Sequence, residues 1–173
     1  MNQPYVICFS GMPGTFKSQL AHRISLQYAL PRFERDLLRE EAKTDHDTDD
    51  VNDPLALKQF NETTQRLVDD LLSRKISFVL DSSVDRRWPE IKSQLTAAGY
   101  KFMVISLDLS EGYVRSFYER YATDNLPHFE GYSAQHQAFV QEHQADIALS
   151  IKDADIPRRI ELALAAVARF LAK

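Results

Sequence analysis

The chain has 173 residues, of which 44% are hydrophobic and 27% charged, enough for one water-soluble domain with a sizeable core and too few for two comfortable ones. A net charge of −4 excludes an overall positive field that would gather nucleic acid or an anionic membrane, though it leaves room for a local basic strip. The single cysteine, Cys8, excludes an internal disulfide and a cysteine-clustered zinc site; with no leader segment and no apolar run of membrane-spanning length in the sequence, a cytoplasmic protein is expected.

Residues 5–9 form a short, continuous apolar run that ends at Ser10-Gly11, the pattern of a strand buried on both faces, within which Cys8 reads as a small buried hydrophobe. Leu20, Ile24 and Tyr28 follow at four-residue spacing, a helix face stopped by Pro31. A brief strand over 32–35 leads to Asp36, and a short helix from Leu37 gives way to the polar TDHDTDD at 44–50. Asp53-Pro54 has the form of an N-cap and first-turn proline for a helix that carries Leu57, Phe60, Leu67 and Leu71 towards Lys75. A buried strand over 76–80 terminates in Asp81; the next helix starts between Arg86 and Pro89 and ends at a Gly99 cap. A strand at 102–107, helices around 115–121 and 134–143, a strand at 147–151 and a closing helix striped with Ile160, Leu164, Val167 and Leu171 complete the pattern. Five strands separated by helices predict a single three-layer α/β domain over 1–173 with a mainly parallel sheet.

The junction between the first strand and the first helix carries Gly11, Met12, Pro13, Gly14, Thr15, Phe16, Lys17 and Ser18. This is G-x-x-x-x-G-K-[ST] with phenylalanine where glycine is usual. In that setting backbone N–H groups and the helix N-terminus receive phosphates, Lys17 reaches the β- and γ-phosphates of ATP, and the Ser18 hydroxyl takes Mg²⁺. A phenylalanine held at positive φ costs on the order of 1 kcal/mol, small beside charge-assisted bonds to phosphate. Phe16 is therefore expected to reshape the cradle rather than abolish it, and Phe16→Gly to preserve or tighten nucleotide binding.

Together with RDLLRE, FVLDSSVDRR and YVRSFYERY, in that order and spacing, GMPGTFKSQLA resembles the small P-loop kinases, which include polynucleotide 5′-kinase, gluconate kinase, chloramphenicol phosphotransferase and zeta-toxin-like enzymes. The resemblance implies a five-stranded sheet in the order 2-3-1-4-5, a helical lid over about 111–145, ATP with Mg²⁺, and phosphoryl transfer to a hydroxyl. It further implies that Asp36 takes the hydroxyl proton and Arg39 holds the acceptor, that Asp81 stands beside Ser18 at the metal, and that Arg120 is a lid arginine over the transferring group. The residues alone leave alternatives: an i,i+3 pair such as Asp36 and Arg39 shares a helix face, but aspartate is also a common helix N-cap, and Asp81 could cap the helix after its strand. A second lid arginine does not align, because Arg115 stands one place from the expected position, where it could pair with Glu119.

Three signals are set aside. Asp45, Asp47 and Asp49 alternate as in a calcium loop, but Asp50 and Ala56 stand where glycine and glutamate are needed. His136 and His143, seven apart among glutamines, read as surface histidines, and Arg158-Arg159 sit unfavourably at the positive end of a helix unless they meet an acidic partner. The sequence thus points to an ATP- and Mg²⁺-dependent phosphotransferase acting on a hydroxyl-bearing small molecule. A polynucleotide 5′-hydroxyl kinase is disfavoured by the acidic charge, and a nucleotide-binding module with lapsed catalysis is the reading from another class.

Overall fold

The computed structural model describes residues 3–50 and 52–172. Five strands, β1 (Tyr5–Ser10), β2 (Arg32–Glu34), β3 (Phe78–Ser83), β4 (Lys101–Leu107) and β5 (Ile147–Ile151), form one sheet in the order β2-β3-β1-β4-β5. Every pairing is parallel. The helices are α1 (Lys17–Tyr28), α2 (Arg35–Asp45), α3 (Pro54–Ser73), α4 (Trp88–Ala97), α5 (Glu111–Tyr121), α6 (Phe129–Glu142) and α7 (Arg159–Leu171), with a 3-10 segment, Thr123–His128, joining α5 to α6.

Because side chains alternate across a strand, β1 feeds two cores at once. Ile7 and Phe9 pack with Leu20 and Ile24 of α1, Val114 and Tyr118 of α5 and Val167 of α7. Val6 and Cys8 pack on the other face with Phe78, Leu80, Trp88, Leu95 and Phe139, beneath α3, α4 and α6. The result is the three-layer parallel α/β arrangement that the alternation of strands and helices predicts. Among the described residues no helix is long and apolar enough to cross a membrane.

Local chemistry sets the boundaries. Asp53 Oδ1 accepts from the Leu55 and Ala56 amides at 3.0 and 2.9 Å, so the expected cap and N1 proline start α3. Gly99, at φ 72°, closes α4, with the Tyr100 amide returning to Leu95 O at 2.9 Å. Three boundaries around β2 and β3 differ from expectation. The α3 helix is closed by Lys75 at φ 54° and a bond from the Ile76 amide to Leu71 O, which keeps Ile76 and Ser77 out of the sheet. At its other end β3 runs on to Ser83 because β1 and β2 lie beside it, pairing Asp81 with Glu34 and Ser83 with Phe9. Asp81 is therefore a strand residue and not the cap of α4. Likewise α2 begins at Arg35, placing Asp36 inside its first turn and Glu34 in the N-cap position.

The outer layer over α4 is pinned by Asp146, which accepts from the Trp88 indole at 2.8 Å and from Lys92 Nζ at 2.7 and 2.9 Å. Asp146→Ala would leave a buried indole N–H without an acceptor, at a cost of about 1–3 kcal/mol. Urea unfolding should show that loss; a change below about 0.5 kcal/mol would mean that water replaces the carboxylate.

Candidate active site

In a parallel sheet of this kind the loops leaving the C-terminal strand ends meet at one edge, where ligand sites form. Here a 790 Å³ cleft opens between the 11–18 loop, the first turns of α2, and the 81–87 segment, with Tyr132 and Gln135 of α6 on its far wall. The loop owes its shape to three residues at positive φ: Gly11 (141°), Gly14 (73°) and Phe16 (56°). At Gly11 a β-carbon would also crowd Leu107 Cβ at 3.2 Å, so backbone conformation and space both favour glycine there. The Thr15 hydroxyl donates to Met12 O at 2.7 Å and tightens the turn. Phe16 is the N-cap residue of α1 and supplies no side-chain cap, which leaves the first amides of that helix to an incoming anion.

Lys17, 9% exposed, folds back so that Nζ donates to Gly11 O at 2.8 Å and Met12 O at 2.5 Å. Burial lowers its ammonium to about 8, against the pull of Asp85, Asp36 and Asp81. The next residue faces the strand end: Ser18 Oγ donates to Asp81 Oδ1 at 2.9 Å. Burial raises the Asp81 carboxyl above the usual range, while the Ser18 bond and Arg32, 3.6 Å away, act in the opposite sense. Thus two residues 63 positions apart in sequence are joined by one hydrogen bond beneath the loop.

Asp36 and Arg39 both line the cleft from α2, Asp36 exposed and Arg39 with its guanidinium carbon 4.8 Å above the Phe60 ring. Arg120 stands elsewhere. It is exposed at the end of α5, 5.8 Å from the Tyr121 ring, and does not line the cleft. Arg115 meets Glu130 at 2.6 Å and the Phe129 ring at 4.1 Å, not Glu119.

The fold that carries this loop recurs in solved structures. No protein-family profile and no curated protein matches the chain. Among known structures it is similar to the APS kinase CysC of Mycobacterium tuberculosis, solved with AMPPNP and APS, at a TM-score of 0.63 and 14% identity over 97% of this chain and 99% of that one. A gluconokinase from Sinorhizobium meliloti gives a TM-score of 0.55 at 18% identity, covering 98% of this chain and 94% of that one. The PezAT toxin–antitoxin system of Streptococcus pneumoniae gives 0.52 at 13% identity, with 88% and 67% of the two chains covered. The fold is that of the P-loop kinases.

Within this P-loop kinase fold the structure adds residues that spacing along the chain did not single out. His136 is 5% exposed and not a surface histidine. Helix α6 carries it against the back of the loop, where Nδ1 lies 3.0 Å from Asp85 Oδ2 and 3.2 Å from Ser10 Oγ, while Nε2 is sealed without a partner. Burial pushes the Asp85 carboxyl up, but the bond from His136 and its charge, with hydroxyls of Ser10 and Ser83, outweigh it and hold the group below the usual range. An ionised carboxylate accepts only, so the shared proton sits on Nδ1 of the imidazole. The same carboxylate receives the Gly11 amide at 3.3 Å. A histidine at the inner face of a helix is recognisable only once the helix is docked.

Phe16 is also more than a strained residue. Its ring meets Phe117 of α5 edge-on at 5.3 Å, and the Arg159 guanidinium lies 4.7 Å above it. Arg159 in turn is fixed by bonds to Gln19 Oε1 at 2.6 and 2.8 Å and to Ile156 O at 2.6 Å, while Arg158 pairs with Glu161. Glycine at 16 would relieve about 1 kcal/mol of backbone strain. It would forfeit an aromatic pair worth about 0.5–1.5 kcal/mol, a cation–π contact of about 0.5–1 kcal/mol and the buried ring area. The packing wins, so Phe16→Gly should lower the melting temperature; an unchanged or raised value would show that strain dominates.

Lys17 provides a pH test. A lysine whose folded pKa of about 8 lies below its ordinary value of 10.5 opposes folding at every pH below 8, and the penalty fades between 8 and 10.5. By that shift the penalty is roughly 3 kcal/mol. The nucleotide-free protein should therefore gain stability relative to Lys17→Met as pH rises through this window, measured as the difference in their melting temperatures. A constant difference would refute the buried, destabilised ammonium.

Proposed function

We propose that the protein is an ATP- and Mg²⁺-dependent phosphotransferase that moves the γ-phosphate to a hydroxyl of a small-molecule acceptor. The observation that carries this reading is the Ser18–Asp81 bond set beside Lys17 in a loop of P-loop kinase form. A hydroxyl and a carboxylate held together are the hard oxygen donors that suit Mg²⁺, a cation that keeps several waters and takes only one or two protein ligands with substrate phosphates. The metal, when bound, would supply charge neutralisation at the phosphates. The AMPPNP present in the APS kinase of similar fold supports a nucleotide in this cleft.

The roles follow from position. The Lys17 ammonium exchanges its bonds to the Gly11 and Met12 carbonyls for phosphate oxygens, which also returns its pKa upwards. The amides of the 11–18 loop hold the phosphates in register. Asp36, exposed in the cleft and without a hydrogen-bond partner among the described residues, is free to accept the proton of the acceptor hydroxyl. As the acceptor oxygen bonds to the γ-phosphorus, the bond from that phosphorus to the β-phosphate oxygen breaks, and ADP leaves with the electron pair. Arg39 grips the acceptor. Arg120 reaches the transferring group only when α5 and the segment after it close over the loop.

One observation favours the alternative of a nucleotide-binding module without catalysis, namely the position of Arg120 outside the cleft. Two measurements separate the readings. ATP should bind with Mg²⁺ and be lost in Lys17→Ala by calorimetry; equal affinities would sink both. Asp36→Asn preserves size and removes proton acceptance, so in an ATP-consumption assay over an acceptor panel kcat should fall about a hundred- to ten-thousand-fold with ATP affinity nearly unchanged. Turnover at the wild-type rate would remove Asp36 from the mechanism, and binding without turnover on any acceptor would favour the module.

A further inference from the structure

The cleft holds more positive charge on its α2–α3 side than its own side chains balance. Arg35 and Arg39 are one turn apart on α2, and both guanidinium carbons lie over the same Phe60 ring of α3, at 5.3 and 4.8 Å. Nearby arginines are accounted for: Arg32 pairs with Glu34 at 2.5 Å, Arg87 with Glu90 at 2.9 Å, and Arg86 Nε donates to Gln135 at 2.9 Å. Among the described residues Arg35 and Arg39 form neither an ion pair nor a side-chain hydrogen bond, and Asp36 between them pairs with neither. Arg35 Nε is sealed from solvent without an acceptor. Burial first, then Arg87 and Arg39 close by, pull the Arg35 guanidinium below its usual range and outweigh the opposing pull of Asp36.

Stacking on an aromatic face accounts for the orientation of two arginines, but it does not supply acceptors for their donors. A buried donor left unmade is costly, and two like charges on one ring repel. Planar guanidinium forks in this arrangement match an oxyanion, which takes parallel N–H bonds from each. The lysine of the phosphate loop is not part of this group, because its donors are turned onto Gly11 and Met12. Arg35 also lines a 70 Å³ recess walled by Phe33, Leu72, Phe78 and Leu80, where Thr64 Oγ1 is a second sealed atom without a partner. The side of the cleft away from the loop thus has a charged entrance and a small, mainly apolar end.

We infer that the acceptor is an anion: a hydroxyl compound whose carboxylate, sulfate or phosphate is held by the paired guanidinium groups of Arg35 and Arg39 over Phe60, which presents its hydroxyl to Asp36. The inference deepens the kinase reading and rests on it for the identity of the ligand as acceptor. It makes Arg35 a specificity-determining residue and Phe60 the platform that sets the spacing of the pair.

The test uses the full chain loaded with AMPPNP and Mg²⁺, so that the phosphate loop is filled, and sulfate as the probe. Sulfate should bind saturably, raising the melting temperature, and its Kd should weaken about tenfold or more in Arg35→Gln and again in Arg39→Gln, while AMPPNP affinity stays unchanged. Arg39→Lys, which retains the charge but not the fork, should bind sulfate between wild type and Arg39→Gln. In the acceptor panel, hydroxy acids and sugar phosphates should be turned over with kcat/KM above that of uncharged polyols of the same size. Absence of saturable sulfate binding to the loaded protein, sulfate affinity independent of both arginines, or equal use of uncharged polyols would overturn the inference. Should AMPPNP fail to bind, the kinase reading falls separately, and the sulfate titration on Lys17→Ala with and without Arg39→Gln still decides whether the pair is an anion site. If Arg35→Gln does not fold, the half-buried Arg39 carries the same test.

Discussion

The ammonium of Lys17 is nearly shut off from water at the junction of β1 and α1, and much of the surrounding structure answers that fact. A buried cation needs oxygen partners, and here they are main-chain carbonyls of Gly11 and Met12 rather than a carboxylate. To aim those carbonyls inward the chain has to reverse within a few residues, which puts Gly11, Gly14 and Phe16 at positive φ. A salt bridge would satisfy the lysine more fully but would fill the place an anion has to enter. The three carboxylates nearest to it act at longer range and leave its donors on exchangeable carbonyls.

The strain at Phe16 is offset by packing that ties distant elements to the loop. Phe117 of α5 and Arg159 of α7 enclose its ring, and Tyr118, next along α5, donates to Pro13 O at 2.6 Å. From the other side α6 brings His136 to Asp85, whose carboxylate also receives the Gly11 amide. Helices α5 and α6 therefore both rest on the cradle itself.

Charge in the cleft is distributed by distance from this loop. Carboxylates at 36, 81 and 85 lie within range of Lys17, while two guanidiniums without an ion-pair contact lie over Phe60 on the α2–α3 side, with Asp36 acting on both groups. A net charge of −4 says nothing of this separation. The sum over a chain is insensitive to where its charges meet, and the acidic 44–50 segment offsets the arginines in the total without neutralising them in the site.

What the sequence determined by itself were the features written in short windows: apolar runs for strands buried on both faces, Asp53-Pro54 and Gly99 as helix ends, the 11–18 loop, and Asp36 with Arg39 one turn apart. Each depends on residues within about one helical turn or strand of one another, where backbone sterics and spacing suffice. The order of the sheet also came with the motif resemblance. Tertiary structure alone decided the rest. Asp81 became a strand residue because two neighbouring strands supplied its ladder, and His136 became a buried partner of Asp85 because α6 docks with that face inward. Phe16 became a packed ring because α5 and α7 converge on it, and Arg35 became a stacked cation because Phe60, 25 positions later by number, folds beneath it. The reason is common to all four: a side chain's environment is fixed by elements far away in sequence, and no local pattern carries the direction from which they arrive.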